Sequence, residues 1–177
     1  MRVESWELNK KTRIITLSAL FSALCLITLY IASIWPTGLY GLVAFASLFV
    51  AAAVIETGAK QGVYVFIVCS VLGFLLLPDK SAAILYILFF GYYPVVKNLI
   101  ERIKSKAVQW IFKLMVFNAA LTVIWVFLKE LLMGFSERLS GVWIIYVLGN
   151  VVFVLFDYGY SNVLLLYVNM VSRRIRG

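Results

Sequence analysis

The chain contains no histidine. That removes the commonest transition-metal ligand and the commonest general base. Histidine-dependent intramembrane proteases and zinc metalloproteases are therefore excluded on chemistry alone, whereas a serine–lysine or carboxylate enzyme is not. Cysteine is almost as scarce. Cys25 and Cys69 are the only two, and each sits inside an apolar run, which reads as a small core residue rather than half of a disulfide. Charge is also in short supply: 14% of the 177 residues are charged and 64% are hydrophobic, where soluble domains run at about 25% and about 45–50%. A water-soluble fold of this length has too little interior to hide so much apolar side chain, so lipid must be the solvent for much of its surface. There is no glycine-rich phosphate loop and no pair of catalytic carboxylates. No nucleotide site and no cofactor are expected, and the chain is not expected to be an enzyme.

What is present is a succession of long apolar runs. The first covers 14–35, too long for the core of a signal peptide, and it ends at the turn signal Pro36-Thr37-Gly38. Five more follow at 39–55, 61–77, 81–96, 110–128 and 142–163. Each is continuously apolar, unlike the ten-residue alternation of an outer-membrane barrel. The sequence thus predicts an all-α polytopic membrane protein, a single domain built as a bundle of about six transmembrane helices. With six spans, thirteen of the sixteen Lys and Arg residues fall on one side, leaving only Lys80, Lys129 and Arg138 on the other. The positive-inside rule then places both termini in the cytoplasm of a cell (plasma) membrane protein. That asymmetry accounts for the net charge of +8 without any nucleic acid as partner.

Several polar residues interrupt the spans. In the last one, Asn150 and Asp157 share a helical face with Tyr146 and Ser161. An acid within an apolar run is costly and faces a bundle interior or a watery cavity. Asp157 serves either as a ligand or proton site, or near the inner interface as the partner of Lys113 or Arg102. In the fifth span Asn118 and Thr122 form a polar pair, with Trp125 and Lys129 continuing that face. These residues suit interhelical hydrogen bonding. They suit equally a small-molecule pocket at the outer ends of the last three spans, lined by Tyr86, Thr122, Trp125, Lys129, Trp143, Tyr146 and Asn150. Aromatic walls would bury a ring-shaped ligand, the amide and hydroxyl would orient it, and Lys129 would meet a carboxylate or phosphate. Trp35, Tyr40 and Trp143 also fit an aromatic belt. In the run Phe89-Phe90-Gly91-Tyr92-Tyr93-Pro94, glycine and proline predict a kink.

In the first span, Ala19-Leu20-Phe21-Ser22-Ala23 places Ala19 and Ala23 one turn apart, with Ser18 and Ser22 at the same spacing. Small side chains let another helix approach closely, whether from this chain or from a partner. Six spans in so short a chain, cytoplasmic termini and this alanine-x-x-x-alanine face resemble the S components, the substrate-binding membrane subunits of energy-coupling factor transporters. The resemblance implies that Ala19, Ser22 and Ala23 dock on a transmembrane scaffold subunit driven by two ATPases. It also implies that a vitamin-like micronutrient binds near the outer face, without naming which one. The competing expectation is a non-transporting scaffold of cell-envelope assembly, using the same six spans for protein contacts only.

Overall fold

The computed structural model describes residues 2–127 and 142–172. Among them there is no strand, and six helices are long and apolar enough to cross a membrane: Lys11–Ile34, Leu39–Thr57, Ala59–Leu76, Lys80–Ile100, Lys106–Val126 and Trp143–Met170. The protein is an all-α, multi-pass membrane protein. Among the described residues the helices are α1 (Arg2–Ile34), α2 (Leu39–Thr57), α3 (Ala59–Leu76), α4 (Lys80–Leu85), α5 (Tyr93–Ile100), α6 (Lys106–Phe127) and α7 (Val142–Tyr167). α1 extends well upstream of the apolar stretch, and α6 starts four residues before its expected boundary of 110. Polar residues do not stop a helix outside the bilayer, so apolar boundaries mark the membrane rather than the helix ends.

The chain forms two compact units, one running to Asn98 and the other covering Leu99–Val171. In the first, α2 is the central element. Leu39, Val43, Ala46, Val50 and Ala53 are all buried, and their alternating spacing of four and three residues makes a seam of the coiled-coil kind. Ala51, Ala52 and Ser47 beside it are buried too, small enough for α1 and α3 to approach closely. α1 answers with Phe21, Cys25, Leu29 and Ala32, and α3 with Gly62, Val65, Cys69 and Gly73. Gly62 is required there, because a Cβ at that position would collide with Cγ2 of Val54. Gly58, between α2 and α3, has φ +103°, a left-handed conformation that only glycine adopts without strain.

In the fourth span, where a kink was expected, the α-helix gives way to a widened turn. α4 stops at Leu85, residues Tyr86–Phe90 form a π-helical turn, and Gly91 N–H donates to Tyr86 O at 2.7 Å. A Cβ on Gly91 would lie 2.6 Å from Phe66 and 2.7 Å from Tyr86. The glycine therefore lets two aromatic rings close over the widened turn. Asp79 caps α4 by accepting from Ser81 N–H at 3.0 Å, and the Lys80 ammonium donates to Phe74 O and Leu77 O at the end of α3.

In the second unit α6 and α7 form an antiparallel pair. Going up α6 and down α7, the rungs are Lys113 with Asp157, Phe117 with Phe153, Asn118 with Asn150, Leu121 with Gly149 and Thr122 with Tyr146. Phe117 and Phe153 stack at 4.5 Å and 11°. Gly149 lets Leu121 come within 3.2 Å of where its Cβ would sit. The faces away from the rungs carry Ile111, Met115, Val126, Val152 and Leu155, all exposed as lipid-facing side chains are.

Candidate functional site

The polar residues singled out in the last two spans fall on one line between α6 and α7. The Asn118 amide donates to Asn150 Oδ1 at 2.9 Å, and the Asn150 amide donates back to Asn118 Oδ1 at 3.0 Å. Each amide also donates to a carbonyl one turn earlier in its own helix, Leu114 O and Tyr146 O, both at 2.8 Å. Both N–H groups of each amide are therefore used. One turn along, Thr122 Oγ1 and Tyr146 Oη are 3.0 Å apart, while Thr122 Oγ1 also donates to Asn118 O. The reciprocal pairing follows from the solvent: an amide in hydrocarbon must find a partner, and a second amide at equal depth satisfies both.

Of the seven residues expected to line a pocket, Thr122, Tyr146 and Asn150 are thus brought together, and their polar atoms are turned on one another and on Asn118. Trp125 continues the same line on α6 and is half-buried. Trp143 is 68% exposed; that outward position fits the aromatic-belt expectation better than the pocket. Tyr86 is fully buried in the first unit, where its hydroxyl accepts from the Cys25 thiol at 3.5 Å and its ring packs 6.0 Å from that of Phe66. It fills core there, because it continues α4 in α-helical geometry, three and four residues on from the buried Ala83 and Ala82. Lys129 lies outside the described residues.

At the other end of the rungs stands a group of charges. The Lys113 ammonium donates to Asp157 Oδ2 and to Glu101 Oε1, each at 2.8 Å, and lies 5.4 Å from the centre of the Trp110 ring. Lys113 and Asp157 are buried, while the Glu101 side chain is 43% exposed. Of the two partners expected for Asp157, Lys113 is thus seen. Lys113 lies seven residues into α6, about 10 Å along it, so the pair is near the helix start rather than at mid-bilayer. The Gln109 side chain ties down the preceding turn by donating to Ile103 O at 2.7 Å and to Glu101 O at 3.4 Å. That helps fix the backbone from which Glu101 reaches Lys113. The sequence pointed to Asp157 and its cation but gave no sign of Glu101 as a second acceptor.

On α1, Ala19 and Ala23 are exposed, together with Leu20 and Leu24. Phe21 and Cys25, on the opposite face, are buried. The small-residue face is therefore not consumed by packing within the first unit. Ser22 is half-buried, and its hydroxyl donates to Ser18 O at 2.9 Å, so it adds smoothness to the edge of that face rather than a free hydrogen bond. Further along α1, an open groove of about 260 Å³ is lined by Leu26, Ile27, Tyr30, Ile31, Leu76 and Leu77. Its wall is almost wholly apolar, which suits an acyl chain better than a ligand that arrives from water.

Comparison with protein-family models, with curated proteins and with solved structures finds no match to this chain.

Proposed function

We propose that the protein is a membrane-embedded substrate-capture subunit. It docks through α1 on a transmembrane scaffold subunit, which partner ATPases energise, and it takes up a small vitamin-like micronutrient. The observation that carries this proposal is the exposure of Ala19 and Ala23 on a helix whose other face is packed. Lipid gains nothing from two alanines one turn apart, whereas a partner helix gains close backbone approach and the dispersion contacts that come with it. In this proposal both termini are cytoplasmic and the protein resides in the plasma membrane, because the basic residues then lie on the inner side. The ligand binds toward the outer ends of the later helices, where Thr122, Trp125, Tyr146 and Asn150 share a line. Bound polar groups would compete for the hydrogen bonds those side chains now make with each other. Ala19→Leu and Ala23→Leu test the docking. Each should abolish co-purification with the scaffold subunit while leaving the protein folded and its micronutrient bound. Wild-type co-purification of both variants would overturn it.

A second reading has its own support. The amide pair Asn118–Asn150 and the hydroxyl pair Thr122–Tyr146 are mutually satisfied, as residues that only hold two helices together would be. That favours a scaffold of cell-envelope assembly, in which the α1 face meets an assembly partner and no small molecule is bound. Asn150→Leu separates the two. It lowers ligand affinity in the first case, and in the second it alters nothing but helix-pair stability.

A further inference from the structure

Two open grooves flank the last turns of α3. One lies between α3 and α1, where Leu76 and Leu77 meet Leu26, Ile27, Tyr30 and Ile31. The other lies between α3 and the fourth span, where Phe74 and Leu75 meet Ile87. Their volumes are similar, about 260 and about 300 Å³, and both walls are almost wholly apolar. Lys80 stands at the rim of both. Its ammonium donates to Leu77 O and to Phe74 O, each at 2.8 Å, and lies 5.8 Å from the centre of the Phe74 ring. It therefore rests on the carbonyl of one lining residue from each groove. Two of its three N–H groups are used there, leaving the third without an acceptor among the described residues. Asp79, next to it in sequence, accepts from Ser81 N–H through Oδ1, and both charged residues are exposed. On α3 the grooves reach from Leu77 back to Ser70, about 10 Å of helix, which keeps them within the ~15 Å of one leaflet.

We propose that a diacyl phospholipid with a primary-amine head group, phosphatidylethanolamine, binds across the end of α3, with one acyl chain in each groove, its phosphate on Lys80 and its ammonium on Asp79. The grooves set the number of chains: two apolar channels open on either side of one cation, as two acyl chains leave one glycerophosphate. Charge sets the head group. A phosphate meets the Lys80 ammonium as a point charge at the interface. An acidic head group would put a second negative charge beside Asp79, and that repulsion would cancel part of the gain at Lys80. A choline head group has no N–H to donate to the Asp79 carboxylate. Ethanolamine carries a cation with N–H donors on the same molecule as the phosphate, so both charged residues are paired. The start of α4 is not the binding element, because Asp79 already caps Ser81 N–H. A partner helix in either groove would supply apolar side chains but no anion for Lys80. The site lies in the other half of α1 from Ala19 and Ala23, and it stands whether or not the transport proposal does.

The test uses the purified full chain, delipidated in a mild detergent and titrated separately with dioleoyl phosphatidylethanolamine, phosphatidylcholine and phosphatidylglycerol. Bound lipid is counted by native mass spectrometry. The wild type should retain one ethanolamine lipid at least about fivefold more tightly than either of the others. Lyso-phosphatidylethanolamine, with a single acyl chain, should bind more weakly than the diacyl lipid. Lys80→Met should lower affinity for the ethanolamine and choline lipids alike, by about fivefold. Asp79→Asn, which keeps a capping side chain, should abolish the preference for ethanolamine over choline and leave choline binding unchanged. Circular dichroism establishes that each variant is folded. No lipid retained above the detergent background, or equal affinity for all three, overturns the proposal, and neither result needs a variant to fold. A preference for phosphatidylglycerol would overturn the pairing with Asp79. Lyso lipid bound as tightly as diacyl lipid would overturn the use of both grooves.

Discussion

Replacing Lys113 with leucine should destabilise the protein more than replacing either carboxylate it holds. Its ammonium is buried and serves two acceptors at 2.8 Å, one in Asp157, whose side chain is 3% exposed, and one in Glu101 at 43%. Lys113→Leu strips the cation from a buried carboxylate, and breaking a buried ion pair from one side costs about 3–5 kcal/mol. Asp157→Leu leaves the ammonium with Glu101 still bound, so its cost falls toward the ~1–3 kcal/mol of a buried polar group deprived of one partner. Glu101→Gln, at a half-exposed acceptor, should cost no more than about 1 kcal/mol. The double variant Lys113→Leu/Asp157→Leu should recover most of the loss, since an apolar pair of similar volume replaces an ion pair at little or no cost. The assay is reversible unfolding in mixed micelles, followed by circular dichroism over the double-mutant cycle. If the two single variants cost the same and their effects add within about 0.5 kcal/mol, the pair is not coupled and the rungs of α6 and α7 do not hold as described.

The amide rung gives a parallel case. Asn118→Leu or Asn150→Leu alone should cost about 1–2 kcal/mol, and the two together less than their sum, measured in the same unfolding assay. At Gly62 the Val54 side chain stands where a Cβ would go, so Gly62→Ala should lower stability by about 1–3 kcal/mol. Val54→Ala in the same chain should restore much of that loss. Gly58→Ala, at φ +103°, should cost about 1 kcal/mol with no change in helix content, seen by thermal denaturation. For topology, in a chain with both native cysteines replaced by alanine, a thiol introduced at Thr37 should react with an impermeant maleimide in intact cells. One introduced at Ser105 should react only after lysis, and the reverse pattern would invert the membrane orientation.

The membrane spans were legible because hydropathy is a local property: a run such as 39–55 declares itself without any tertiary information. The Asp157–Lys113 contact was legible for a related reason. Counting residues from each helix start places both at similar depth, and an acid in hydrocarbon needs a cation. What could not be read is register and rotation between helices. Nothing in the spacing of Cys69 indicates that its thiol meets the Ser22 carbonyl of α1, since two helices of an apolar bundle can rotate freely in a sequence-level picture. The same limit holds for Tyr86, whose burial depends on which face α4 turns to the core of the first unit. Gly91 and Pro94 announced a kink in the fourth span, and the widened turn begins five residues before Gly91. Thr122, Tyr146 and Asn150, read from the sequence as neighbours at the ends of the last two spans, lie on one line with Asn118. Polar residues in a span look alike in sequence whether they await a ligand or each other, and the geometry shows them bonded to each other.

The exposed Ala19–Ala23 face and the polar line on α6 and α7 together define the proposal of a docked capture subunit. The most direct test is purification of the tagged protein from its native membrane in mild detergent, followed by mass spectrometry of both the co-purifying proteins and the small molecules released on denaturation. The capture proposal predicts a transmembrane scaffold protein and ATPases recovered with the wild type. Ala23→Leu should lose them, while a heteroaromatic micronutrient is released from both forms in near-equal amount to the protein. Recovery of cell-envelope assembly proteins with no small molecule would contradict it.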